Sequence, residues 1–232
     1  MAKMNPLITD ELLDTFHEVE RLLEIIYGPR LLEPNLKPLA SLIGTILSQS
    51  TSDVNSGRAM ARLQEEFPTW NDVVEAPVED VIDAIRSGGL ANIKGPRIQD
   101  VLHNVHQRQG SWDLSFLTRM SLDDAMNWLV SLDGVGPKTA ACVLLFSLGM
   151  PAMPVDTHVG RVMTRLGILP ERTGTLRKQR ILEDLIGPEP QRVYSVHVET
   201  IDHGRQICKA INPRCPICPL KEVCLYYAER YA

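Results

Sequence analysis

The chain has 232 residues, 44% hydrophobic and 23% charged, which suits one large globular domain or two small ones and excludes a disordered or fibrous chain. No apolar run approaches the roughly 20 residues that span a bilayer, and Met1–Asp10 lacks a signal-peptide core, so a soluble intracellular protein is expected. The formal net charge is −5, but it is unevenly spread. Lys138, Arg161, Arg165, Arg172, Arg177, Lys178 and Arg180 face only Asp156 and Glu171 in their stretch, whereas Asp10, Glu11, Asp14, Glu18, Glu20 and Glu24 outnumber Lys3, Arg21 and Arg30 in the first thirty residues. Distribution matters more than the sum for a polyanionic partner, and a two-faced molecule with a basic region fits.

The pattern is helical nearly throughout. Thr9 to Tyr27 places Leu12, Leu13, Phe16, Val19, Leu22, Leu23 and Ile26 at helical spacing. Pro34-Asn35-Leu36-Lys37-Pro38 punctuates, and a domain crossing is expected there. Leu39 to Leu47 reads as a second helix, and Ser52 or Asp53 caps a third running to Glu66. Pro77 opens a fourth, which Gly88-Gly89 ends, and Pro96 to Gln109 is a fifth. Ser121 to Leu132 carries one apolar face, with Ser121 and Asp124 as a capping pair. Lys138 to Leu148 is apolar nearly all round and therefore buried. Further helices are predicted over Asp156–Leu166, Thr175–Ile186 and Gln191 to about Ile207. The last contains Tyr194–Val198, whose alternation resembles a strand but which has no partner strand in view.

Between the helices at Ser121–Leu132 and Lys138–Leu148 lies Gly134-Val135-Gly136-Pro137. Glycine supplies the left-handed angles of a tight hairpin and lets a phosphate approach the backbone. Pro137 suits a first helical position, and the free N–H groups of that helix end suit an anion. Gly134, Val135 and Gly136 are thus candidates for gripping a backbone phosphate without reading bases; an ordinary glycine turn is the alternative. Lys138 sits in the first turn, where the dipole disfavours a positive charge. A neutral amine there is a nucleophile able to form a Schiff base. Eighteen positions on, Asp156 precedes Thr157-His158 at a helix start, where a carboxylate reads equally as an N-cap.

Cys208, Cys215, Cys218 and Cys224 form Cys-x6-Cys-x2-Cys-x5-Cys. In an intracellular chain this points to a metal site before disulfides. Four thiolates suit zinc and an iron–sulfur cluster alike, and the spacing by itself does not separate them. Cys142, on the apolar helix, reads as a core thiol. His103, His106, His197 and His203 read as partly exposed structural residues.

The run Leu132–Ala140, followed by Val155-Asp156-Thr157-His158, resembles the catalytic core of the endonuclease III-type DNA glycosylases, and the similarity extends from about Leu42 to Cys224. The resemblance implies an all-α, two-domain helix-hairpin-helix glycosylase fold with a C-terminal [4Fe–4S] loop. A six-helix barrel domain would span 35–150, a helical cluster domain would combine 1–34 with 151–232, and DNA would lie in the cleft between them. It implies Lys138 as Schiff-base nucleophile, Asp156 as essential carboxylate and the four cysteines as cluster ligands. Gln49 matches a glutamine that enters the duplex where a base has left, although one extra residue separates it from Asp53. Leu90 matches a wedge leucine, although by itself a leucine there reads as core; His158, close after Asp156, reads either as a phosphate contact or as support for the helix start. The function implied is a base-excision glycosylase with apurinic-site lyase activity, probing double-stranded DNA for a damaged base, taken to be an oxidised pyrimidine, or an abasic site. It would act as a monomer, away from membranes, in the cytoplasm at the nucleoid. Gly110–Leu114 and Ser50–Ser56 are also similar to plant 5-methylcytosine glycosylases, so 5-methylcytosine or mismatched thymine is an alternative substrate. A module that only binds DNA is the alternative of a different class, against which Lys138 and Asp156 argue.

Overall fold

The structure is a computed structural model that describes residues 8–231. Residues 1–7, which include Lys3 and most of the stretch inspected for a signal peptide, lie outside the described residues. The described residues are helical, with no strand. None of their helices is long and apolar enough to cross a membrane. The chain divides into two compact units: residues up to Glu33 with Gly149 onward, and Pro34–Leu148.

The Pro34–Leu148 unit contains α2 (Pro38–Ser48), α3 (Asp53–Glu66), α4 (Trp70–Glu75), α5 (Val78–Ala84), α6 (Ala91–Gln109), α7 (Leu122–Val130) and α8 (Pro137–Leu148). Its centre is α8, which buries Thr139 through Leu145 without a polar stripe. Helices α2 and α7 pack on it, and α5 packs on α6. Deleting a core side chain such as Leu144, which has no exposed surface, would cost about 2–5 kcal/mol. The last carbonyls of α8 have no partner within the helix. The segment before α2 covers two of them, with Asn35 N–H donating to Phe146 O at 3.1 Å and Leu36 N–H to Ser147 O at 3.2 Å.

Helix starts follow their caps. Ser52 Oγ accepts from Asn55 N–H, which fixes Ser52 rather than Asp53 as the α3 cap. Thr69 and Asp72 form a full capping box that starts α4, a helix the sequence pattern does not announce. Helix α6 begins at Ala91, five residues before Pro96. Proline forfeits one hydrogen bond inside a helix; here it lies near the start, where the loss is small, and Leu90 in a left-handed conformation turns the chain into the helix.

The other unit contains α1 (Asp10–Tyr27), α9 (Thr157–Arg165), α10 (Thr175–Ile186), α11 (Pro190–Gln206) and α12 (Leu225–Tyr231). Helix α11, which includes Tyr194–Val198, packs against α1 and α9. Arg192 grips both oxygens of Glu20 on α1, at 2.9 and 2.6 Å. This two-pronged, half-buried pair fixes geometry better than a single surface contact. His197 and His203 are buried, not partly exposed as the sequence suggests, because they lie on the inner face of α11.

Candidate active site and cysteine centre

The hairpin between α7 and α8 takes the form its glycines allow. Gly134 has φ +77°, in the left-handed region. A Cβ on it would collide with the Cγ, Cδ and Nε atoms of Arg97, so the position requires glycine on two counts. Val135 holds the turn from inside: its side chain is 4% exposed and its N–H donates to Leu132 O at 3.1 Å. That N–H is therefore spent within the hairpin, whereas Gly136 lies exposed at the mouth of α8. Lys138 is the second residue of α8 and half-buried. A rigid, buried helix is a suitable mount for a reactive group.

Gln49 reaches the same place. It ends α2, its Nε2 donates to Thr139 Oγ1, and its Oε1 accepts from Arg97 Nη1, each at 3.4 Å. These are long bonds, easily exchanged for a better partner. Between Gln49 and Asp53, Ser50 is exposed and left-handed with φ 55°. Leu90 is also left-handed, with φ 52°, and 53% exposed. A non-glycine residue held in that region stores strain, of about 1–3 kcal/mol, and such outliers cluster at functional sites. Arg97 is the residue that sequence inspection missed: it touches both Gln49 and Gly134, and no local motif marks it.

In the other unit, Asp156 is the N-cap of α9, its Oδ1 accepting from Val159 N–H at 2.7 Å. It is half-buried. Nearby, Arg161 Nη2 lies 3.1 Å from His158 Nδ1 and donates to Gly204 O at 2.9 Å. Arginine only donates, so His158 Nδ1 accepts and its proton sits on Nε2. Gly204 leaves room for this: a Cβ there would stand 3.0 Å from His158 Cβ and Nδ1.

The cysteine loop follows α11. Cys208, Cys215, Cys218 and Cys224 line one cavity with Arg165, His203, Leu220, Tyr226 and Tyr227. None is in a disulfide. The Cys218 thiol is pushed up to about 11, chiefly by burial, with the three other cysteines raising it further. Cys224 is raised for the same reasons. A cation bound among the four sulfurs would offset that cost by stabilising the thiolate form. Arg165 Nη1 donates to Cys208 Sγ at 3.3 Å, and His203 Nε2 lies 3.5 Å from Cys218 Sγ. Burial lowers His203 to about 4 and raises Tyr27, 3.1 Å from its Nδ1, to about 12. A neutral imidazole can then accept from the Tyr27 hydroxyl and donate to a thiolate at Cys218, the usual outer-shell support of a metal ligand. Among the described residues no three His, Cys, Asp or Glu side chains converge as the donors of a single ion do.

Arg161 and Arg165, counted above in the basic region, serve this loop instead. Arg161 donates to Cys208 O at 2.9 Å, and Arg165 to Lys209 O at 2.7 Å and Ala210 O at 3.2 Å. Arg172, Arg177 and Arg180 are exposed.

Helices α7 and α8, joined by a left-handed glycine turn and with a lysine in the first turn of buried α8, form a helix-hairpin-helix. The profile described as HhH-GPD superfamily base excision DNA repair protein matches residues 43–188, and the chain belongs to that superfamily. Endonuclease III of Thermotoga maritima (strain ATCC 43589 / DSM 3109 / JCM 10099 / NBRC 100826 / MSB8) is 35% identical over 197 residues, 83% of this chain and 85% of that one. DNA glycosylase/AP lyase ROS1 of Arabidopsis thaliana is 32% identical over 190 residues, 75% of this chain but 14% of that one. Among solved structures, a trapped endonuclease III–DNA covalent intermediate superposes with a TM-score of 0.76 at 28% identity, covering 97% of this chain and all of that one. The chain is an endonuclease III-like base-excision DNA glycosylase and AP lyase, and DNA is its partner.

Proposed function

We propose that this enzyme removes an oxidised pyrimidine from duplex DNA and nicks the strand by β-elimination, with Lys138 as nucleophile and Asp156 as essential carboxylate. The observation that carries the reading is the placement of Lys138 at the mouth of buried α8, directly after the left-handed hairpin. The target nucleotide must leave the stack, because its C1′ is inaccessible in a duplex. The Lys138 amine attacks C1′ as the bond to the base breaks, and the base departs with the electron pair and takes up a proton. Asp156 assists by accepting a proton or by countering positive charge on the sugar. The sugar opens to a Schiff base on Lys138, loss of a C2′ proton expels the 3′ phosphate, and water frees the lysine. The backbone at Gly134 and Gly136 holds a phosphate, His158 offers Nε2–H to another, Leu90 wedges the stack and Gln49 meets the widowed base with an amide that both donates and accepts.

The barrel and hairpin domain is assigned to 35–150, and the cluster domain to 1–34 with 151–232. Cys208, Cys215, Cys218 and Cys224 would hold a [4Fe–4S] cluster; the donor set and its N–H···S partners fit it, and when bound it cross-links the loop. The enzyme acts as a monomer in the cell interior, at the nucleoid.

A second substrate, 5-methylcytosine or mismatched thymine, is suggested by the resemblance of Gly110–Leu114 and Ser50–Ser56 to plant 5-methylcytosine glycosylases. A panel of duplexes, each carrying one modified base, separates the two. Faster release of oxidised pyrimidines supports the first reading, and preferential release of 5-methylcytosine or thymine from a mismatch replaces it.

A further inference from the structure

The first turns of α6 bury a lysine for which no sequence motif accounts. Lys94 is 1% exposed, and burial lowers its pKa below the ordinary lysine value. Its ammonium donates to Leu47 O at 2.7 Å and to Gly88 O at 2.9 Å. Burying an ammonium is costly, and a leucine or methionine would fill the space more simply. The two acceptors explain its presence. Leu47 lies in the last turn of α2, whose carbonyls have no helical partner. Gly88 closes the 3-10 turn at Arg86–Gly88. Just beyond each acceptor the chain passes through an exposed, left-handed, non-glycine residue: Ser50, with φ 55°, after Leu47, and Leu90, with φ 52°, after Gly88. The strands of chain are also packed together. A Cβ on Gly88 would stand 3.0 Å from Ala59 Cβ and 3.9 Å from Leu47 O. Strained backbone of this kind persists only where the surroundings over-determine it.

We propose that Lys94 is a positioning residue that fastens the Gln49 loop and the Leu90 loop into one unit, so that both enter the duplex together. The inference rests on the reading above that these two loops enter DNA. One ammonium with rotatable donors holds two carbonyls from separate loops. Removing it leaves both carbonyls buried and unpaired and lets the loops move independently. The wedge then opens the stack without the amide arriving to receive the widowed base.

The test is a double-mutant cycle on base release from duplex, in kcat/KM, combining Gln49→Ala and Leu90→Ala with Lys94 present and with Lys94→Met. With Lys94 the two losses are expected to overlap, the double variant being better than the product of the singles by about fivefold or more. With Lys94→Met they are expected to multiply. Lys94→Met should itself slow release from duplex while leaving borohydride trapping on a single-stranded abasic oligonucleotide near the wild-type level, which a general loss of structure would not do. Should Lys94→Met fail to fold, Lys94→Leu, which also removes the ammonium, carries the same comparison. Overlap that persists unchanged without the lysine overturns the proposal and leaves Lys94 as packing. A different result, Gln49→Ala and Leu90→Ala each releasing base at the wild-type rate with Lys94 in place, overturns the reading of the loops on which it rests.

Discussion

Gly134→Ala is the sharpest probe of the hairpin. Two penalties add at this position. An alanine at φ +77° pays the left-handed cost of about 1–2 kcal/mol. Its Cβ also strikes the middle of the Arg97 side chain, which must swing away and give up its 3.4 Å contact with Gln49, a long bond worth at most ~1 kcal/mol. The sum, about 1–3 kcal/mol, corresponds to a fall in Tm of about 3–10 °C for a chain of this size. Thermal denaturation measures it, and repeating the substitution in an Arg97→Ala background separates the two parts. Without Arg97 the collision is gone, so the penalty should shrink to the backbone part alone. Affinity for duplex should fall in both backgrounds, since in the proposed reading the hairpin backbone meets the phosphate. An unchanged Tm for Gly134→Ala would refute the left-handed hairpin, and an equal penalty with and without Arg97 would refute the packing of Arg97 on it.

Asp156→Asn keeps an acceptor for Val159 N–H and should retain wild-type stability, while Asp156→Ala loses the cap at about 1 kcal/mol; both should slow base release severely in a single-turnover assay, and full activity of the Asn variant would remove Asp156 from the chemistry. Glu199 is buried, and its carboxyl is raised to about 7, first by burial and then by Glu24. The folded state therefore keeps this proton to near neutrality while the unfolded chain releases it near 4.5, so stability is highest below that lower value and falls as pH rises toward 7, by on the order of 1–3 kcal/mol. Glu199→Gln should match wild type at low pH and melt above it at high pH; parallel pH profiles would contradict the buried carboxyl. Purified protein should be brown and contain about four irons per chain, whereas one zinc and no visible absorption would replace the cluster with a zinc site. Duplex affinity should drop steeply with added salt and vary little with flanking sequence, an expectation that salt-independent binding would reverse.

Much of this was legible in the sequence for physical reasons. The all-round apolarity of Ala140–Phe146 requires a buried helix, and Gly134 requires a turn. The spacing of the four cysteines implies a common centre, and the structure gathers them around one cavity. Elements with weak local signals were harder to see. The six-residue helix Trp70–Glu75 rests on its capping box rather than on periodicity, and Pro96 hides the five residues of α6 that precede it. Long-range side-chain roles were not legible at all. Nothing local marks Arg161 and Arg165 as clamps on the cysteine loop rather than phosphate contacts, or Arg97 and Lys94 as partners of Gln49, Gly134, Leu47 and Gly88. Those roles exist only once the helices are packed.

The central claim is that Lys138 bonds covalently to the sugar. Borohydride reduces an imine to a stable amine, so protein incubated with an abasic duplex and borohydride should become fixed to the DNA and migrate as a single slower band on a denaturing gel. Wild-type protein should trap, and Lys138→Gln should give no trapped band while still binding duplex, because the backbone at Gly134 and Gly136 is untouched. Trapping by Lys138→Gln at the wild-type level, or none by the wild type, would contradict the account and leave Lys138 as a phosphate contact.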